Sequence, residues 1–229
     1  MDDHRLVKLK EHIWAIEEGF VRSYLIVGRE ESLLIDAGFA VSGLDKLVRS
    51  ITSSPVTLIL THADHDHIGC SHLFDKVLMH PDEYTNYLSQ ARVERFDYTA
   101  IEDGQLLSFD GRKMQVIHLP GHTAGSILLF DQDHGHLFSG DTIADSAIYL
   151  FGRERNIKQY TDSMRRLEAL NLDIRWIFPS HGRTPVEADL VTDIREGIEM
   201  FAEGSLQPIR KMEEGDYHLY QWKRAQYYL

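Results

Sequence analysis

The segment that most constrains this chain is Thr61–Gly69, because five side chains that can bind a metal fall within six consecutive positions. The segment follows an apolar stretch that is typical of a buried strand. Side chains alternate as a strand ends, so His62 and Asp64 can face one point while Asp66 and His67 turn towards another. A loop that is only charged and solvated rarely carries this density of imidazole and carboxylate groups. The spacing therefore predicts two adjacent metal positions.

Three later segments each place a metal-capable side chain where the chain leaves an apolar run. They hold His122 in the sequence PGHTAGS, Asp141 in SGDT and His181 in PSHG. A single histidine of this kind is more often a capping or surface residue. The four motifs together, in this order and spacing, resemble the metallo-β-lactamase superfamily over residues 20 to 185, approximately. The usual first motif of that family is HxHxDH, and here Asp64 replaces its second histidine.

The resemblance implies an α/β fold, a four-layered αβ/βα sandwich with metals at one edge. Residues 1–229 are expected to form a single metallo-β-lactamase-like domain, with a short C-terminal extension from about residue 205. A chain of 229 residues that is 43% hydrophobic and 26% charged can bury one sizeable core, which agrees with this expectation.

The resemblance also implies two divalent metal ions and their ligands. His62, Asp64 and His122 would hold the first metal, Asp66, His67 and His181 the second, and Asp141 would bridge both. Zinc is favoured because it accepts histidine nitrogen and carboxylate oxygen. The carboxylate of Asp64 shifts the relative preference towards iron or manganese. Asp66 is also expected to be catalytic, by moving a proton to the leaving group.

Four further residues are candidates for supporting or substrate-binding roles. Asp36 resembles the aspartate that orients ligands through hydrogen bonds in the family, although a residue before Gly38 can equally serve a turn. Tyr24 could donate a hydrogen bond to substrate or pack in the core. Tyr149 and Arg153 fall in a segment that can border the pocket in the family, and Arg153 could bind an anion.

Three other metal-capable side chains are given plainer roles. His65 lies out of register with the ligands, so it should support them or face solvent. His118 precedes a proline in a strand-like run and is expected to be a packed histidine that bonds to backbone. Cys70 is expected to be a buried, inert thiol, and a single cysteine excludes an intrachain disulfide.

The composition indicates which class of ligand the protein binds and where in the cell it is located. A formal net charge of −12 repels a phosphate backbone, so nucleic acid is an unexpected ligand and a small-molecule substrate is preferred. No apolar run approaches about 18 residues, which argues against a membrane-spanning helix. The start of the chain lacks the apolar stretch of a secretory signal, which predicts a cytoplasmic protein. The oligomeric state is left open.

Apolar periodicity predicts strands and helices in alternation. An initial meander spans residues 6–35, and a second set of strands spans residues 106–138. The stretch 92–101 reads as a lid or an insertion. Helices are predicted at 41–51, from near His67 to Asp75, from Pro81 towards Gln90, at 157–170 and at 186–203.

The predicted activity is hydrolysis of a small ester, thioester or lactone-like substrate by a hydroxide held between two metal ions. Ala144 stands where many lactonases carry tyrosine, and the tail is short for the helical region of glyoxalase II relatives, so neither activity is favoured by name. One alternative is a di-iron oxidoreductase module related to flavodiiron proteins, which also carry a carboxylate at the position of Asp64. Another is a noncatalytic metal-binding sensor.

Overall fold

The computed structural model describes residues 4–39, 43–213 and 215–229 and contains three sheets. The strands are β1 His4–Lys8, β2 Ile13–Glu18, β3 Val21–Ile26, β4 Ser32–Ile35, β5 Val56–Ile59, β6 Val77–Met79, β7 Thr99–Ala100, β8 Leu106–Phe109, β9 Arg112–His118, β10 Ile127–Asp131, β11 His136–Gly140, β12 Ala147–Tyr149, β13 Trp176–Pro179, β14 Pro208–Lys211, β15 His218–Trp222 and β16 Ala225–Tyr228. The helices are α1 Leu44–Ile51, α2 His65–Ile68, α3 Tyr84–Ala91, α4 Ile157–Ala169 and α5 Leu190–Ala202.

Two large sheets pack face to face. Strands β1 to β7 form the first sheet in chain order, antiparallel up to β4 and parallel from β4 to β7. The second sheet has the order β13-β11-β10-β9-β8. Side chains such as Ile35, Val116 and Phe138 fill the space between them and are almost wholly buried. Apolar contacts of this kind are the main driving force for closing the two layers.

Helices cover the outer faces of both large sheets. Leu44 and Val48 of α1 and Tyr87 of α3 pack on the first sheet. Met164 of α4 and Ile194 of α5 pack on the second sheet. The molecule is therefore the four-layered αβ/βα sandwich that the sequence predicts.

The C-terminal segment forms a third, four-stranded sheet with the order β12-β16-β15-β14. Strand β12 lies in the middle of the chain and pairs in parallel with β16. The sheet is fixed to α5 by the buried Tyr227, whose hydroxyl donates to the carbonyl of Ile194 at 2.5 Å. The predicted C-terminal extension is thus a structured wall next to β12.

The helix predicted from near His67 to Asp75 is wrong. Helix α2 spans four residues and is followed by a separate single turn of 3-10 helix, Ser71–Leu73. The amides of Gly69 and Cys70 donate to the carbonyls of Gly38 and Ala37 at 2.8 and 3.1 Å, so they are not available to extend the helix. The loop after β4 therefore ends α2.

Other boundaries differ by a few residues, as expected for helix ends. Helix α1 begins at Leu44, and the first residues of the predicted helix, 41 and 42, lie outside the described residues. Helix α5 begins at Leu190 instead of residue 186. The stretch 92–101 ends in β7, and Phe96 stacks on Tyr87 with 3.9 Å between ring centroids, so it packs on α3. No helix among the described residues is long and apolar enough to cross a membrane.

Candidate metal centre

The seven predicted ligands meet at one edge of the two large sheets. Each follows the end of a strand: the first motif follows β5, His122 follows β9, Asp141 follows β11 and His181 follows β13. Strands β11 and β13 are parallel neighbours, so their carboxyl ends bring Asp141 and His181 together. Strand β5 belongs to the first sheet, and the first motif follows its end on the same edge. The site is thus built where both sheets end.

Four side-chain atoms surround the first metal position. The Oδ2 atom of Asp64 lies 3.7 Å from Nε2 of His62 and 3.4 Å from Nε2 of His122. The Oδ2 atom of Asp141 lies 4.0 and 3.6 Å from the same two nitrogens. Ligand atoms about 2.1 Å from a tetrahedral metal are about 3.4 Å apart. The arrangement therefore has the dimensions of a metal site, with Asp64 on it.

Asp66, His67, His181 and Asp141 surround the second position. The Oδ2 atom of Asp66 lies 3.8 Å from Nε2 of His67 and 3.4 Å from Nε2 of His181. Asp141 lies 3.3 Å from the His67 nitrogen through Oδ1 and 3.2 Å from the His181 nitrogen through Oδ2. Asp141 thus borders both positions, as a bridging ligand must.

Unpaired buried atoms support binding of cations here. Nε2 of His62, Nε2 of His67 and Oδ1 of Asp141 are buried and make no hydrogen bond, although the last two lie 3.3 Å apart as an ion pair. Buried polar atoms are normally paired, so atoms without a partner at a common point require an explanation. Divalent metal ions would ligate all three. The donor set of imidazole nitrogens and carboxylate oxygens suits zinc, and its carboxylates also suit iron or manganese.

The charges at the centre favour a cation as well. Burial lowers the pKa of His181, but the Asp141 carboxylate outweighs it and raises that pKa to about 10. Burial likewise opposes ionisation of Asp141, yet His181 and His67 hold its pKa well below its ordinary value. Positive charge is therefore stabilised at this point in the fold.

Asp36 contacts an imidazole of the second candidate position. Its Oδ2 lies 2.9 Å from Nδ1 of His67, and its Oδ1 accepts from the Thr61 amide at 2.7 Å. The Thr61 hydroxyl also donates to this carboxylate. A carboxylate on the far nitrogen of an imidazole fixes the ring and leaves Nε2 free for a metal. This geometry is the one expected of the predicted orienting aspartate.

Backbone carbonyls orient two other imidazoles. Nδ1 of His122 lies 3.0 Å from the Tyr149 carbonyl, and Nδ1 of His181 lies 2.8 Å from the Phe20 carbonyl. A carbonyl can only accept, so each Nδ1 carries a proton, and each Nε2 is the nitrogen that would bind a metal at the centre.

Glu83 is a supporting residue that the sequence analysis does not identify. Its carboxylate is fully buried and accepts from the amides of Ala63 and Gly125 at 2.8 and 2.7 Å. Ala63 lies in the first ligand motif and Gly125 in the loop of His122, so one side chain joins both loops. A glutamate after Pro81 in a first helical turn otherwise indicates only a favourable helix-dipole contact, and no local pattern marks this role.

Tyr24 does not reach the substrate side of the centre. It is 1% exposed, and its hydroxyl donates to the Pro179 carbonyl at 2.6 Å and contacts the Thr184 hydroxyl at 2.7 Å. Desolvation raises the pKa of this phenol, the Arg22 charge opposing it. The prediction of a substrate-binding phenol is wrong, and the alternative of core packing is correct.

A cavity of about 590 Å³ opens beside the metal centre. Its wall contains Tyr149, as predicted for that residue, and Phe20 on the side of His181. The C-terminal sheet adds Gln226 and Tyr228. Arg153 does not line this cavity, and Arg155, two positions later, does. The anion-binding role predicted for Arg153 therefore gains no support from this cavity.

His65 faces solvent, with 60% of its side chain exposed, and borders the cavity. Its ring makes an edge contact with Phe39 at 4.8 Å. Cys70 is buried, as predicted.

His80, Asp82 and His118 form a third group of metal-capable side chains. The rings of His80 and His118 stack at 3.9 Å with 16° between their planes. An imidazole binds a metal in its own ring plane, and two stacked, nearly parallel rings cannot both point at one ion. Nε2 of His118 lies 2.9 Å from the Ala124 carbonyl, which confirms the predicted packed histidine.

Comparison with known proteins agrees with the fold and with the motif set. The family model of the metallo-beta-lactamase superfamily matches residues 16–181. The acyl-coenzyme A thioesterase MBLAC2 of Homo sapiens is 27% identical over 224 residues, covering 77% of this chain and 80% of that protein. A hydroxyacylglutathione hydrolase of Aeromonas hydrophila is 31% identical over 149 residues, covering 64% of this chain and 56% of that protein.

Solved structures give the same architecture. The metallo-beta-lactamase from Pontibacter korlensis superposes with a TM-score of 0.73 at 18% identity, covering 86% of this chain and 99% of that one. At this identity the likeness shows the fold alone. The match over most of the chain shows that this protein belongs to the metallo-beta-lactamase superfamily. Within it, the relatives named above are hydrolases.

Proposed function

We propose that this protein is a dinuclear metal-dependent hydrolase acting on a small ester-like substrate, with thioesters as the first class to test. The observation that carries the proposal is the set of three buried atoms without partners, on His62, His67 and Asp141, at the centre of seven ligand side chains. Two bound metal ions would supply an activated water at neutral pH and stabilise negative charge on a carbonyl oxygen.

Thioesters come first because of the relatives. The names of the human and Aeromonas proteins specify removal of an acyl group from coenzyme A and from glutathione. This chain spans 56% of the length of the Aeromonas protein, so glutathione recognition is not carried over with the fold. Ester and lactone substrates remain in the proposal as the next classes.

The cavity residues would orient the substrate and move its proton. Tyr149, with 47% of its surface exposed, and Phe20, with 68%, present aromatic faces to an acyl group. Burial opposes ionisation of Asp66, but His181 and His67 lower its pKa, so the carboxylate is available to accept a proton. Asp66 borders the cavity and can pass that proton to the departing thiolate or alkoxide.

The test is metal analysis of the purified protein together with a panel of acyl thioesters, esters and lactones. We expect about two metal ions per chain and turnover of a thioester that chelation abolishes and zinc restores. His122→Ala serves as the metal-site control, because Nε2 of this residue borders only the first position. A fully metal-loaded protein that hydrolyses nothing in the panel contradicts the proposal and favours the sensor.

The di-iron oxidoreductase is kept as a second candidate because of Asp64, whose Oδ2 lies at ligand distance from two imidazoles. Carboxylate oxygen shifts relative preference towards iron. Iron content with a visible absorption band and no hydrolysis would favour this alternative. A cytoplasmic location and a small-molecule substrate stay predictions from the sequence, and cell fractionation checks the first.

A further inference from the structure

Arg155 contacts the one ligand that departs from the family motif. Its Nη1 donates to Oδ1 of Asp64 at 3.3 Å, and its Nη2 donates to Oδ2 of the same carboxylate. The second nitrogen also lies 3.4 Å from Nε2 of His122. The two side chains of the ion pair are only 14% and 11% exposed. Arginine is suited to such a two-point contact because its guanidinium is planar and permanently charged.

The backbone around Arg155 is held in place. The amide of the next residue, Asn156, donates to the Gly121 carbonyl at 2.8 Å, beside His122. The Asn156 side chain accepts from the Gln159 amide at 3.0 Å and begins α4. The backbone that carries Arg155 is therefore bonded to the loop of His122 and leads into the start of a helix. Its position next to Asp64 is determined by the fold.

The charges of Asp64 and Arg155 sum to zero, which is the charge of a neutral imidazole. The usual motif has a neutral histidine at position 64, and the carboxylate adds one negative charge to the first metal position. The Arg155 cation cancels that charge at the same point. Without it, the extra carboxylate would weaken the pull of a metal on its bound water. Without Asp64, the guanidinium would repel a metal between His62 and His122.

We propose that Asp64 and Arg155 act as one unit that replaces the histidine of the usual motif, Asp64 as ligand and Arg155 as the residue that positions and neutralises it. The proposal rests on the proposed function, because it requires a metal at the first position. Arg155 also keeps Oδ2 of Asp64 directed at the two imidazole nitrogens. Neither residue can then be exchanged alone without loss.

A double-mutant cycle on metal affinity tests this coupling. The variants are Asp64→His, Arg155→Gln and the double variant, and the readouts are chelator competition for zinc and the visible spectrum of the cobalt form. We expect Asp64→His alone to weaken zinc at the first position by about tenfold or more, because an unpaired guanidinium remains beside three imidazoles. The double variant should recover to within about threefold of the original protein.

Arg165→Gln is the matched control, because Arg165 pairs with Glu199 between α4 and α5 and should leave zinc affinity unchanged. Additive effects in the cycle, or an Asp64→His variant that binds zinc as tightly as the original, overturn the proposal. So does an Arg155→Gln variant that raises only KM, since Arg155 would then bind a substrate anion.

Failure of the proposed function gives a different result. In that case the original protein binds no metal at the first position, and His122→Ala leaves the metal content unchanged. An additive cycle in a protein that binds two metals and hydrolyses thioesters rejects the coupled unit alone.

Discussion

Two clusters of histidine and aspartate lie at opposite ends of β10 and β11, and they behave differently. At one end is the metal centre around Asp141. At the other end, the fully buried Asp131 accepts from Arg112 at 3.3 Å, from Nδ1 of His134 at 3.0 Å and from the amides of Asp133 and His134. Both clusters contain a buried carboxylate and imidazole groups, although the side chain of His134 is 44% exposed. Only the first leaves several of them without partners.

The difference separates a ligand site from a structural polar cluster. The donors of Arg112, Asp133 and His134 are directed at the Asp131 carboxylate itself, so its charge is already satisfied, while Nδ1 of the neighbouring His136 makes no hydrogen bond. At the metal centre, two imidazole nitrogens and a carboxylate oxygen make no hydrogen bond and lie among the converging atoms of the other ligand side chains. Composition alone does not distinguish the two ends, whereas the direction of the free atoms does. The following predictions test that distinction.

The largest contrast is expected between Asp141→Asn and Asp131→Asn, the same chemical change at the two ends. Asp141→Asn removes the charge shared by both metal positions, so metal content and hydrolysis should fall by about a hundredfold or more. Asp131→Asn should keep its metal and lower the free energy of unfolding by about 1–3 kcal/mol, because Arg112 loses a charged partner. Metal analysis and denaturant unfolding measure both. Undiminished metal and activity in Asp141→Asn would remove the basis of the metal-centre assignment.

The next effect concerns the two metal positions separately. His122→Ala should release the metal of the first position and His181→Ala that of the second, each with loss of most turnover. Both proteins should remain folded, because the apolar core lies between the layers and away from this edge. Metal stoichiometry and far-UV circular dichroism check the result. Loss of both metals together in either variant would mean that the positions are not separable.

An intermediate effect is expected from Glu83→Gln. A glutamine amide has a single accepting oxygen, so one of the amides of Ala63 and Gly125 would face an N–H group. We expect a loss of about 1–3 kcal/mol in unfolding and a loss of about tenfold or more in zinc affinity.

Asp131→Asn is the matched control for Glu83→Gln, because it perturbs a buried carboxylate that also accepts backbone amides. Unfolding by denaturant and zinc competition separate the two variants: similar destabilisation, but weakened zinc only for Glu83→Gln. Equal zinc affinity in both variants would make Glu83 a purely structural residue.

The smallest expected effect is a pH dependence of stability that comes from His136, in the cluster around Asp131. Desolvation lowers the pKa of His136 to about 4, against about 6.5 in an unfolded chain. The unfolded state therefore binds the proton more readily, and stability contributed by neutral His136 is present above pH 6.5 and lost as pH falls towards 4. His136→Gln should reduce the drop in Tm between pH 7 and pH 5 by no more than about 3 °C, because the ring is partly solvated. An unchanged drop would show that other groups control acid sensitivity.

The sequence predicts the fold and the ligands of this centre better than their supports. The candidate ligands sit in short motifs at strand ends, so local spacing and the family resemblance are enough to predict that these side chains converge. Glu83 and Arg155 act through contacts with residues that are distant along the chain, such as Gly125 and Asp64, and no periodicity encodes those contacts. The sequence also does not show which arginine of the loop after β12 borders the cavity, because Arg153 and Arg155 lie only two residues apart.

The end of α2 illustrates the same limit. Apolar spacing after His67 is compatible with a longer helix, and only the docking of the loop at Ala37 and Gly38 removes the amides that the helix needs. The direction of the Tyr24 side chain could not be predicted from the sequence either, because a tyrosine in an alternating strand can face the core or the edge of the sheet. Tertiary contacts decided each of these cases.

The parallel pairing of β12 with β16 places two stretches that are far apart in sequence at the wall of one cavity. The segment matched by the family model ends at residue 181 and contains all seven ligand positions. Gln226 and Tyr228, which border the cavity, come from a strand outside that segment. Phe20 and Tyr149 line the cavity from inside the matched segment, so only part of the wall is encoded after the ligand positions. Exchange of the terminal hairpin between relatives would alter that part of the wall and leave the ligand positions untouched.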